Sequence, residues 1–104
     1  MFIINRDSEG YLINYSDWNK IIANQLALEE NLNMNEKHWE IILLVRNFYL
    51  KFNMVPTMRM LVKTIEKQYG AKKANSRYLF QLFPKGLARQ VTKIAGIPKP
   101  VKCL

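Results

Sequence analysis

One thiol stands alone in this sequence of 104 residues. Cys103 is the only cysteine, and it closes the run Gly96-Ile97-Pro98-Lys99-Pro100-Val101-Lys102-Cys103-Leu104. Two prolines within three residues exclude helix and favour extended, polyproline-like backbone. An intramolecular disulfide is impossible without a second cysteine, so the chemistry open to this sulfur is chemistry with another molecule. A thiol reacts as its thiolate, and at an ordinary pKa of ~8.5 only about a tenth is ionised just above neutral pH. Lys99 and Lys102 flank the thiol, while Arg89 and Lys93 lie on the segment that feeds the arm. Any of these cations could favour the thiolate. At ~3.1 Å per residue the seven steps from Gly96 to Cys103 reach about 20 Å, enough to enter the active site of another protein.

Other chemistries find little support. One cysteine and one histidine do not make a typical zinc site, and neither a glycine-rich phosphate loop nor a nucleophile elbow is present. No metal and no cofactor is expected. His38 precedes Trp39 near the start of a strongly apolar segment, where a structural role is expected. Met54, Met58 and Met60 read as packing residues. Tyr78, Phe80 and Phe83 could stack on nucleic-acid bases, but their helical spacing favours packing.

The net charge of +8 is unevenly placed. Residues 1–52 carry a net −2, whereas residues 53–104 carry +10 with Glu66 as their single acid. Such asymmetry suits a polyanionic partner. Arg77, Lys85, Arg89 and Lys93 are the candidates for docking one. No run approaches the ~20 apolar residues of a membrane span, so no membrane partner is expected. The first residues lack the features of a secretory signal, and a lone thiol suits a reducing compartment, so the cytoplasm is the expected location.

The elements that must position these groups are mostly helical, within one domain over residues 1–104. Phe2-Ile3-Ile4 and Tyr11-Leu12-Ile13 predict a small β-hairpin. Ser16 or Asp17 can cap a first helix running through Trp18, Ile22 and Leu26 toward Asn31–Asn33. Asn33 and Glu36 suggest a capping pair for a second helix over 35–52, apolar nearly all round and therefore read as the central, buried helix. Pro56 suits the first turn of a third helix, whose Met58, Leu61, Val62, Ile65 and Tyr69 share one face, with Gly70 as its stop. A fourth helix runs from Asn75 or Ser76 to about Phe83, and a fifth from about Gly86 to Ala95. Gly96 ends that helix and opens an extended arm over 96–104.

Taken together, these segments resemble the TusE/DsrC family of small sulfur carriers over essentially the whole chain. The resemblance lies in Arg77-Tyr78-Leu79-Phe80-Gln81-Leu82-Phe83-Pro84-Lys85-Gly86 and in Lys93 through Leu104 with the cysteine after Pro-Lys-Pro. Glu9-Gly10-Tyr11-Leu12, His38-Trp39-Glu40 and Arg59-Met60-Leu61 match earlier blocks. It implies an orthogonal helical bundle of about five helices with an N-terminal β-hairpin. It also implies that Cys103 carries sulfur as a persulfide. The DsrC branch has a second cysteine eleven residues before the last, and that position here is Thr92, which points to the TusE branch. That branch takes sulfur from a TusB–TusC–TusD complex and delivers it to the tRNA-bound 2-thiouridylase MnmA, for 2-thiolation of the wobble uridine. A sulfite-reductase accessory role is disfavoured by Thr92. A winged-helix nucleic-acid-binding module is the rival from another class, but the candidate recognition helix lacks a cluster of Asn, Gln and Arg suited to base edges.

Overall fold

The computed structural model describes residues 5–100 and contains five α-helices: α1 Lys20–Glu29, α2 Glu36–Phe52, α3 Met58–Tyr69, α4 Ser76–Leu82 and α5 Leu87–Ile94. A short 3-10 turn, Tyr15–Asp17, precedes α1. Asparagine side chains begin most of these elements. Asn14 caps the 3-10 turn, Asn19 accepts from the Ile22 amide at α1, Asn35 from Lys37 and His38 at α2, and Asn75 from Arg77 and Tyr78 at α4. Thr57 caps α3. The caps anticipated at Ser16 or Asp17 and at Asn33 are therefore displaced by two or three residues, and Pro56, expected in the first turn of α3, precedes its cap. Trp18 consequently lies in the connection before α1 rather than on its apolar face.

Of the expected hairpin, the turn and one bridge lie within the described residues. Phe2–Ile4 lie outside the described residues. Among the described residues no strand forms, and one antiparallel bridge joins Arg6 to Leu12. The Asp7 carboxylate accepts from the Glu9 and Tyr11 amides and shapes the turn between them.

The most enclosed helix is α5, not α2. Leu87, Gln90, Val91, Thr92, Lys93 and Ile94 of α5 are all buried, with α1 and α2 packed against it. Only the first half of α2 is core: His38, Ile41, Ile42 and Val45 are buried, whereas Leu50 and Phe52 are exposed. The sequence of α2 is apolar enough for full burial, yet its last turn leaves Leu50 and Phe52 exposed while Tyr49 packs at the edge of the core. The third helix follows its expected stripe, with Leu61 and Ile65 buried and Met58, Val62 and Tyr69 packed at the edge of the core.

Candidate functional site

The site begins where α5 ends. Gly96 has a left-handed φ of 69°, its amide donates to the Lys93 carbonyl, and the Ile97 amide donates to the Thr92 carbonyl. This pair of bonds is a Schellman cap, and Ile97, 1% exposed, supplies the apolar contact that accompanies one. A Cβ at Gly96 would meet Trp18 Cδ1 at 2.4 Å and Leu12 Cδ1 at 3.0 Å, so glycine is required for space as well as for backbone conformation.

Two further side chains lock this end. Trp18 Nε1 donates to the Ile94 carbonyl at 2.7 Å. Arg46 donates to the Ala95 carbonyl and to the Tyr15 carbonyl, each at 2.9 Å, while its guanidinium lies 4.3 Å from the Trp18 ring centroid. A cation at a helix C-terminus also complements the helix dipole. Neither Trp18 nor Arg46 was singled out from the sequence. The available signal was Arg46 as the sole charge in the stretch Ile41–Leu50.

The chain leaves the core at Pro98. Gly96 and Ile97, assigned to the arm by sequence, belong to the packed interior. Cys103 and Lys102 lie outside the described residues. Thr92, standing where the second cysteine of the DsrC branch is expected, is 3% exposed and its hydroxyl donates to the Ala88 carbonyl at 2.7 Å.

The candidate cations separate into two groups. Lys93 and Arg89 both bind Glu30, at 3.2 and 3.0 Å, and Gln90 Nε2 adds a third donor to the same carboxylate. Burial pushes the Glu30 carboxyl up, but hydrogen bonds from Lys93 and Gln90 with the charges of Lys93 and Arg89 outweigh it and hold the group below its ordinary value. Lys93 is 8% exposed, so it cannot present its charge to a large polyanion. Lys99 donates to the Glu9 carboxylate, and that bond raises its pKa. Glu9 and Glu30 thus pair with three of the cations proposed to tune the thiol, Arg89 and Lys93 sharing one carboxylate. Arg77 and Lys85 are exposed and form no ion pair among the described residues.

His38 is structural, as anticipated. Its Nε2 sits 2.9 Å from the Leu82 carbonyl and its Nδ1 accepts from the Asn35 amide, which fixes the Nε2–H tautomer. Burial lowers its pKa, with the Leu82 bond opposing in part. Of the three aromatics read as packing, Phe83 is fully buried and Tyr78 packs at the edge of the core, but Phe80 is 64% exposed.

Residues 3–104 match a family model described as DsrC like protein. The sequence is 56% identical to the sulfurtransferase TusE of Buchnera aphidicola, over 97% of this chain and 89% of that protein. It is 54% identical to the sulfurtransferase TusE of Yersinia pseudotuberculosis, over 98% and 94% respectively. Among solved structures, the NMR structure of Allochromatium vinosum DsrC superposes with a TM-score of 0.87 at 42% identity, covering 95% of this chain and 88% of that one. The oxidized gamma-subunit of the dissimilatory sulfite reductase (DsrC) from Archaeoglobus fulgidus gives a TM-score of 0.84 at 33% identity, over 97% and 92%.

Proposed function

The chain belongs to the DsrC-like family, its relatives mark it as a sulfurtransferase, and from that premise we propose that Cys103 is the sulfur-carrying residue of a tRNA-thiolation relay. The observation that carries this reading is the single thiol at the end of Pro98-Lys99-Pro100-Val101-Lys102-Cys103-Leu104. It is supported by the sealed end of α5, which gives the arm a fixed origin.

In the loading step the Cys103 thiolate attacks the outer sulfur of a donor persulfide. The donor S–S bond breaks and the donor cysteine leaves as its thiolate, so sulfur moves with no net oxidation or reduction. In the delivery step a thiolate on the acceptor attacks the outer sulfur of the Cys103 persulfide, and Cys103 is released as thiolate. The donor in this reading is a TusB–TusC–TusD-type complex, the acceptor an MnmA-type thiouridylase with bound tRNA, and the location the cytoplasm. No helix among the described residues is long and apolar enough to cross a membrane.

Because the core ends at Ile97, the five steps from Pro98 to Cys103 would give a reach of about 15 Å in polyproline-like geometry. That still spans a catalytic cleft. With one cysteine in the whole chain and Thr92 at the other position, an intramolecular disulfide is unavailable, so an exchange needing two thiols within this protein is not part of the function.

The experiment is complementation of a bacterial strain deleted for its own carrier, with 2-thiouridine in its tRNA measured by liquid chromatography and mass spectrometry. Wild type restores the modified base. Cys103→Ser restores none while accumulating to the same level. Thiolated tRNA in the serine strain at the wild-type level would refute the assignment.

A further inference from the structure

The opposite end of α5 is built differently. A groove of about 310 Å³ opens there between α3, α4 and α5. Its floor is Leu79, Phe83 and Leu87, all buried. Met58 and Val62 of α3 form one wall and Phe80 of α4 the other, with Ser76 the one polar residue of the lining. Phe80 is 64% exposed, so a large apolar ring stands at the lip with most of its surface in water. Scattered apolar residues are ordinary on a surface, whereas one placed on a continuous apolar depression marks an interaction site.

The lip is basic. Arg59 and Lys63 follow the wall residues Met58 and Val62 along α3, Arg77 follows Ser76 on α4, and Lys85 lies between the floor residues Phe83 and Leu87. All four are exposed, and none forms an ion pair among the described residues. The lysines and arginines closer to the arm pair with Glu9 and Glu30, whereas these four, like the exposed Lys20, Lys37, Lys51, Lys67 and Lys72 elsewhere on the chain, form no ion pair among the described residues.

Charge and lining together select the occupant. A second copy would bring a like-charged rim against this one, in a chain of net charge +8. A nucleic acid would find cations for its phosphates, but one polar side chain to meet a base and a single exposed ring to stack on. An amphipathic helix satisfies both features, since its apolar ridge fills such a groove while its flanks face the rim. We propose that this groove docks an amphipathic helix of an acidic partner protein. Its apolar residues rest on Met58, Val62 and Phe80, and its carboxylates face Arg59, Lys63, Arg77 and Lys85. The eight residues of α5 span about 12 Å, so a partner held at this end leaves the arm's origin uncovered.

The inference goes beyond sulfur transfer, and its test uses no sulfur. The full chain, labelled for NMR, is titrated with a synthetic helix carrying Leu at i, i+3, i+4 and i+7 positions and Glu on the other face. The same peptide with Lys for Glu, and an unmodified tRNA transcript, serve as parallel titrants. The Glu peptide is expected to shift amides of α3, α4 and the first half of α5. Phe80→Ala should weaken it about tenfold with the melting temperature unchanged, and Arg77→Glu should weaken it most at low salt.

The proposal is overturned if the Lys peptide binds as tightly, if the Glu peptide shifts other regions or none, or if Phe80→Ala binds as wild type does. It is equally overturned if tRNA alone shifts the groove, or if the shifts appear on raising protein concentration without any titrant. None of these results touches the role of Cys103, whose failure would show only in sulfur transfer.

Discussion

The two ends of α5 carry opposite solutions to the same problem. At the C-terminal end every carbonyl that the helix leaves open has a partner: Thr92 and Lys93 in the Schellman cap, Ile94 with Trp18, and Ala95 with Arg46. At the N-terminal end Gly86 offers no side-chain cap, and the neighbouring apolar surface stays open. The sealed end fixes the point at which the chain leaves the core, and the open end has apolar surface to spare. Stability and binding are thus expected to divide along one short helix.

The comparison breaks most completely at Gly96. Gly96→Val places a branched side chain at a left-handed φ and inside the Trp18 ring, and should cost about 4 kcal/mol in urea unfolding. A loss under ~1 kcal/mol would mean that the sealed end is looser than described. Arg46→Ala comes next, at about 2–3 kcal/mol, because it strips a charged donor from the Ala95 and Tyr15 carbonyls and uncovers Trp18. Arg46→Lys should recover less than half, since an ammonium cannot bridge both carbonyls in one plane.

Acid sharpens the comparison, because each end has its own titrating support. His38 holds the Leu82 carbonyl under the groove, and Glu30 holds Lys93 near the arm. Both have folded pKa values below their ordinary ones, so each adds stability above its unfolded pKa that is lost as pH falls through the folded value. The His38 contribution therefore fades first, below pH 6.5, and the Glu30 contribution only below pH 4.5. His38→Gln should flatten the upper limb of a stability–pH curve and Glu30→Gln the lower limb, by about 1 kcal/mol each. A single acid limb unchanged by either substitution would contradict this. The smallest effect belongs to the open end: Phe80→Ala should alter stability by less than ~0.5 kcal/mol, measured by the same unfolding curves.

Much of this division was legible in the sequence. The stripe of α3, the stop at Gly96 and the structural character of His38 all follow from local pattern. The starts of α4 and α5 follow too, but the caps of α1 and α2 did not, because asparagines at 14, 19, 33 and 35 present the same capping chemistry within a few residues of one another. Distant contacts decide among them, such as the reach of Trp18 to Ile94 that excludes it from α1. The pairing of Glu30 with Lys93 and Arg89 joins α1 to α5 across some sixty residues, and no periodicity announces it. The burial of α2 was overread for a related reason: apolar composition reports what a helix can bury, while the placement of its neighbours sets what gets covered. Phe80 shows the same gap, since helical spacing alone does not reveal on which side of the helix the bundle ends.

The central claim is that Cys103 is the atom-bearing end of the sealed arm. Its most direct test is the intact mass of the purified protein after incubation with a cysteine desulfurase, cysteine and the donor complex. The account predicts a gain equal to one sulfur atom, localised to the C-terminal peptide, removed by dithiothreitol and absent from Cys103→Ser. A wild-type mass that stays unchanged, or a sulfur gain that survives in Cys103→Ser, would contradict it.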